Sequence, residues 1–193
     1  MAKSKLSPGW IAGIAVGAIL LLFVFFFIGS YNGLIKTDES VNEKWANVQS
    51  AYQRRADLIP NLVETVKAYS DYEGSLLKEI TDARASIGKA STPAQLQAAG
   101  NELNSALSRL LAVVENYPNL KANENYLSLQ DELAGTENRV KVERDIFNKA
   151  VRDYNVKVRG FPTNIVAGMF GFQSKEMFEA EQGAENAPEV NFN

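Results

Sequence analysis

The chain contains neither cysteine nor histidine. Without thiols there is no disulfide, no lipoprotein-type processing at a cysteine and no thiol nucleophile. Without imidazole, the usual Ser–His and Cys–His constellations and most zinc sites are excluded, as are the Glu-x-x-His pairs of di-metal carboxylate bundles. No glycine-rich phosphate loop is present either. Gly168-Met169-Phe170-Gly171 lacks the lysine and the preceding strand that such a loop needs. Net charge is −3. Lys3 and Lys5 lie at the head of the chain, and Glu176, Glu179, Glu181, Glu185 and Glu189 stand against Lys175 at its end. The middle is therefore close to neutral and offers no basic face for nucleic acid. No cofactor and no metal are expected, and no catalytic residue.

What the chain has is one long apolar run. Trp10 to Ile28 carries no charge, Asn, Gln or Pro and spans ~29 Å as a helix, close to the hydrocarbon thickness of a bilayer. Trp10 and Tyr31 bracket it at depths that amphipathic aromatics favour. A cleaved signal peptide is the competing reading, with Ile28-Gly29-Ser30 as its small-residue site. The run is longer than a usual signal core, however, and Phe23, Phe25, Phe26 and Phe27 make its end bulky, so a retained anchor is expected. Lys3 and Lys5 precede it, whereas only Lys36 follows closely, beside Asp38, Glu39 and Glu43. That bias predicts a cytoplasmic N-terminus and an exported domain. Gly9, Gly13 and Gly17 form a small-residue stripe on which a second helix can approach, so membrane lipid and a second copy are the expected partners.

The remainder is patterned for helices with a period of about 3.5. Val41, Trp45, Val48 and Tyr52 share a face over about 38–58. This segment is either capped at Ser40 or continuous with the membrane helix through Gly33. Pro60 is expected to break or kink it, with Asp57 as a cap and Asn61 bonding exposed backbone. A second helix over about 60–88 carries Leu62, Val66, Tyr69, Leu76, Ile80, Ala83 and Ile87, with Gly88 just past its end. Thr92-Pro93-Ala94-Gln95 reads as an N-cap, a proline at the first helical position and a capping-box Gln. The third helix then shows Leu96, Ala99, Leu103, Ala106, Leu110, Val113 and Tyr117, up to Pro118. A fourth helix over about 120–159 shows Tyr126, Leu129, Leu133, Val140, Phe147, Val151, Tyr154 and Val158. The fold class expected is all-α: a single transmembrane helix followed by an antiparallel up-and-down four-helix bundle, with a coiled-coil rod as runner-up.

Four charges fall on the apolar stripes: Arg55, Glu73, Glu137 and Arg144. They are expected to form an interhelical polar network that fixes register. The alternative is a carboxylate active site built on Glu73 and Glu137. After the fourth helix, Phe161, Ile165, Val166, Met169, Phe170, Phe172, Met177 and Phe178 are too apolar for a linker. Phe161, Phe170, Phe172 and Phe178 mark a contact surface, expected to pack on a neighbouring surface within or between copies rather than on the membrane.

The stretch Arg54 to Tyr69, RRADLIPNLVETVKAY, resembles the signature of the LemA family of bacterial membrane-anchored helical proteins. Tyr31-Asn32-Gly33-Leu34 is similar to that family's opening. Tyr117-Pro118-Asn119-Leu120-Lys121-Ala122-Asn123, Leu133-Ala134-Gly135-Thr136-Glu137-Asn138-Arg139, Tyr154-Asn155, Phe161-Pro162, Ala167 and Gly171-Phe172 resemble its later blocks. The likeness covers roughly 31–178. It implies a short tail, one membrane helix and an all-α bundle, with no agreed catalytic activity. A branch of the family acts in magnetosome membrane formation, and members often accompany membrane metalloproteases. The domain organisation expected is a basic tail (1–8), an anchor (9–30), a LemA-like bundle (31–160), an apolar segment (161–178) and an acidic disordered tail (179–193). The function expected is that of a non-enzymatic, self-assembling structural protein of the bacterial inner membrane that organises or maintains the envelope. An adaptor that docks a membrane protease or sensor is the alternative.

Overall fold

The computed structural model describes residues 8–68 and 74–179. All regular structure among them is helical. The order is α1 (Pro8–Lys67), α2 (Gly74–Lys89), α3 (Pro93–Val114), the single turn α4 (Pro118–Lys121), α5 (Glu124–Arg159) and α6 (Thr163–Phe170). They divide into two compact units. One is drawn from Met1–Asn42 and Arg152–Lys175, the other from Glu43–Val151 and Glu176–Asn193.

The largest departure from the sequence pattern is α1, a single helix of 60 residues. Neither Ser40 nor Pro60 interrupts it, which settles the alternatives at Gly33 in favour of continuity. Pro60 lies inside the helix, where its missing N–H and its ring cost about 3 kcal/mol. The flanking side chains outweigh that. Ala56, Ile59, Leu62 and Val66 are all buried, and each large apolar side chain contributes roughly 1.5–3 kcal/mol. The expected turn at Asp57, Pro60 and Asn61 is therefore helix interior, and the second helix of the sequence reading splits between α1 and α2. Gly88 lies within α2, which ends one residue later.

In the second unit the helices meet through specific side chains. Trp45 on α1 meets Phe147 on α5 at a tilt of 52°, with ring centroids 5.5 Å apart. Asp57 on α1 accepts a 3.1 Å bond from Arg84 on α2, and Arg109 on α3 pairs with Glu79 on α2. The start of α3 follows the sequence signal: Thr92 Oγ1 accepts from the Gln95 amide, and proline occupies the first turn. Gln95 Oε1 reaches back to the backbone N–H of Ser91 rather than of Thr92. Leu96, Ala99, Leu103, Ala106 and Leu110 form the buried stripe of α3. Asn123 caps α5, its Oδ1 accepting from the amides of Asn125 and Tyr126, which starts that helix at Glu124 rather than near 120.

At Gly100 a neighbouring helix leaves room only for glycine. A Cβ on Gly100 would meet Tyr52 Cε1 at 2.6 Å, and that ring is itself buried. Gly100→Ala therefore gains ~1 kcal/mol of helix propensity and loses ~1–3 kcal/mol to overpacking. The expected net is a loss of about 1 kcal/mol in denaturant unfolding, disappearing in a Tyr52→Leu background. A raised midpoint with Tyr52 intact would refute the close approach.

In the first unit, α1 carries a helical window of mean hydropathy 3.0 with none of it buried, long and apolar enough to cross a membrane. Below it, Leu34 and Val41 of α1, Tyr154 and Val158 of α5 and Val166 and Ala167 of α6 form a small core. Gly171 adopts a left-handed φ of 77° at the end of α6. This conformation favours glycine and lets the Phe172 amide bond back to Ala167 O at 3.0 Å.

Candidate functional site

On the apolar part of α1, a Cβ added at Gly9, Gly13 or Gly17 would meet nothing within 4 Å. Gly9, Trp10, Gly13 and Ile14 line a shallow notch there. The stripe is open along its length, and its neighbours Ile11, Val16 and Leu20 are exposed.

The three stripe charges among the described residues, Arg55, Glu137 and Arg144, do not gather at one place. Arg55 Nη2 lies 3.4 Å from Glu137 Oε2, joining α1 to α5, with the arginine side chain 8% and the glutamate 57% exposed. Arg55 is thus held mainly by packing, and the pair is open to solvent on the acid side, where screening limits its strength. Arg144 belongs elsewhere: it donates to Glu179 O at 3.1 Å and its guanidinium sits 5.0 Å from the Phe178 ring centre. Glu73 lies outside the described residues. Asp57 serves as a link between helices, accepting from Gln53 and Arg84. The Asn61 carbonyl accepts from Thr65 Oγ1.

The residues that sequence reasoning missed are side-chain amides that hold the C-terminal segment by its backbone. In the second unit, Asn148 Oδ1 accepts from the Phe178 amide at 2.8 Å while its Nδ2 donates to the Phe178 carbonyl at 3.0 Å. Gln97 treats Glu179 in the same way, at 3.1 and 3.3 Å. Phe178 is thereby set into an aromatic cluster with Trp45 and Phe147 and is only 4% exposed. In the first unit, Asn155 clips Lys175 through both N–H and C=O, at 2.8 and 2.9 Å. Two-ended amide pairs of this kind satisfy an extended backbone that has no strand partner. They leave no periodic signal in a sequence, because any polar helix face carries Asn and Gln.

The expected contact surface thus divides. Phe178 is buried and Phe172 half-buried, whereas Phe161 and Phe170 are exposed.

Two further polar clusters stand out among the described residues. In the second unit, Asn47, Ser50 and Arg54 of α1 face Glu132, Thr136, Arg139 and Glu143 of α5 across an open cleft of about 660 Å³. Glu143 is buried and bound by Arg139 at 2.6 Å, and the Thr136 hydroxyl donates to Leu133 O. With two arginines and two glutamates the cleft is balanced in charge, suited to a polar partner of mixed charge.

In the first unit, Lys175 Nζ pairs with Asp38 at 2.8 Å, bonds Asn42 Oδ1 at 3.0 Å and sits over the Tyr154 ring. Burial, then the charge of Asp38 and a hydrogen bond to it, push the Tyr154 hydroxyl up to about 12. A phenol that keeps its proton so firmly is no general base near neutrality. The fold binds this proton more tightly than the unfolded chain, whose tyrosine titrates near ~10. The stabilisation is therefore complete below ~10 and is lost as pH rises through about 12. Urea titrations across that window should show Tyr154→Phe falling less steeply than the natural chain; parallel curves would contradict the assignment. Burial, and then the charge of Glu115, raises Tyr126 as well, which adds to the slope in both chains.

Among the described residues, no group of three or more acidic side chains is placed to hold a metal ion. Comparison with known proteins points to the same kind of molecule as the fold. The LemA family model matches residues 44–192. The chain is 25% identical to magnetosome protein MamQ 2 of Paramagnetospirillum magneticum, over 95% of this chain and 78% of that protein. It is also 25% identical to magnetosome protein MamQ of Magnetospirillum gryphiswaldense, over 88% and 71%. Protein LemA of Metamycoplasma hominis is 24% identical over 83% of this chain and 74% of its own length. With its model matched across most of the sequence, the chain belongs to the LemA family.

Proposed function

We propose that this protein is a single-pass, non-enzymatic component of the bacterial inner membrane that self-assembles to organise or maintain the envelope. Its N-terminus is cytoplasmic and its helical part extracytoplasmic. The observation that carries this reading is the apolar part of α1, none of it buried and opened by Gly9, Gly13 and Gly17 on one side. Helices in lipid associate where small residues let backbones approach. The magnetosome proteins among the relatives support a role in a membrane.

Beyond the membrane, we read the helical part as an antiparallel up-and-down four-helix bundle. Supporting this, the contacts Trp45–Phe147 and Arg55–Glu137 run forward along α1 and backward along α5. Two populations of the full chain carrying donor and acceptor dyes, mixed in vesicles, should show energy transfer that persists on dilution with lipid. Transfer that falls in proportion to dilution would sink the self-assembly reading. Protease added outside intact cells stripped of their outer wall should remove the helical part and leave the tail, and the reverse would overturn the orientation.

The cleft lined by Arg54, Glu132, Arg139 and Glu143 favours a second reading, an adaptor for a membrane protease or sensor. A photo-crosslinker at Arg54 should then capture that partner in membranes. Capture of this chain alone would leave the cleft to self-assembly.

A further inference from the structure

Helix α6 buries one face and leaves another without cover. Val166 and Ala167 are buried, yet Ile165, Met169 and Phe170 are more than half exposed and Phe161, just before the helix, is 83% exposed. No charged residue occurs between Arg159 and Lys175, and beyond Thr163 and Asn164 in its first turn the exposed face of the helix is apolar. A helix with so apolar an open face belongs against a core or in lipid.

Its position within the first unit says which. Tyr31 stands three residues past the end of the apolar run, where the bilayer's interface begins. Its ring lies 4.6 Å from that of Phe170 and 6.1 Å from that of Phe172. The exposed face of α6 is therefore continuous with the end of the membrane-spanning stretch of α1. Close by, Lys157 Nζ reaches the Gly33 carbonyl at 3.5 Å, and Lys36 and Arg159 are exposed, which places cations at headgroup level. Aromatic and aliphatic side chains beside lysine and arginine make up the composition of an element lying in the interface.

We propose that α6 is a second membrane contact: Phe161, Ile165, Met169 and Phe170 insert into the headgroup–acyl boundary of the leaflet that Tyr31 faces. The occupant of the surface is phospholipid. It rests on the reading of residues 9–30 as a membrane anchor, and adds that the chain holds the bilayer at two places, the anchor crossing it and α6 lying along it. The sequence alone pointed to packing on a neighbouring protein surface; Phe178 does pack inside the protein, whereas Phe170 meets Tyr31 with part of its ring and Phe161 is exposed.

Because the chain has no cysteine, single reporters can be placed cleanly. Phe161→Cys, Ile165→Cys and Met169→Cys, each labelled with a polarity-sensitive fluorophore in the full chain, are reconstituted in phosphatidylcholine–phosphatidylglycerol vesicles. Lipids bearing a nitroxide at a shallow or a deep acyl carbon then quench by contact. Phe26→Cys in the anchor is the membrane reference. The expected result is blue-shifted emission at all three positions, quenched more by the shallow nitroxide than by the deep one. Loss of lipid quenching at the three positions with Phe26 still quenched overturns the inference, whether the label is open to aqueous iodide or shielded by a second copy. If the Phe26 label also escapes the lipid nitroxide, the anchor reading falls with it.

Discussion

Phe178→Ala is expected to cost roughly 3–5 kcal/mol, the usual range for emptying a buried aromatic site. That is a large fraction of the ~5–15 kcal/mol a domain holds. The ring is stacked with Trp45 and edge-on to Phe147, and Arg144 lies over it. Its backbone is clipped by Asn148. Removing the ring leaves the clips with little apolar gain to offset the entropy of ordering the segment, so the end of the chain should detach from α5. Denaturant unfolding of the detergent-solubilised chain would give the loss in stability, and cleavage after Lys175 by trypsin would report the detachment. Met177 is the natural control, since it is 44% exposed and its alanine variant should change stability by no more than ~0.5 kcal/mol. Equal effects at the two positions would mean that the aromatic cluster does not hold the segment.

The second large effect is expected in the membrane. Gly13→Ile places a branched side chain in the middle of the stripe, where the structure leaves open space beside the helix. A partner helix would then be held off at side-chain rather than backbone distance. Self-association should weaken by roughly tenfold or more, about 1.4 kcal/mol. Ala15→Ile adds comparable bulk on another face of the same helix and should leave association unchanged. Energy transfer in vesicles reads both. If Ala15→Ile disrupts association and Gly13→Ile does not, another face of α1 makes the contact.

Much of this protein was legible in its sequence because most of its helices are amphipathic with a regular period. The buried sets of α3 and α5 are largely the stripe residues, and Thr92-Pro93 marked a helix start without ambiguity. At Pro60 the helix is not broken, for a physical reason. Local sterics forecast a break or a kink, but a proline in a helix costs only as much as one or two well-buried side chains supply, and Ile59 and Leu62 lie beside it. No local rule sees that sum. The polar contacts were less legible still. Arg55 and Glu137 do meet, whereas Arg144, on the same stripe of α5, turns to Phe178 and Glu179. Asn148, Asn155 and Gln97 carried no signal, because their task depends on where a segment far along the chain comes to lie. Glu143, buried against Arg139, was likewise invisible as one more acid on a charged helix.

The division of the C-terminal aromatics has the same origin. Phe161, Phe170 and Phe178 look equivalent in a hydropathy profile. Only the fold separates Phe178, enclosed by rings, from Phe170, half open beside Tyr31, and from Phe161, which is exposed.

The proposed assembly of this chain within the membrane can be tested directly. The direct measurement is the mass of single particles excised from native membranes with their surrounding lipid, without detergent. Particles holding two or more copies of this chain are expected, reduced to one copy by Gly13→Ile. Single copies throughout, at native abundance and with Gly13 intact, would contradict it.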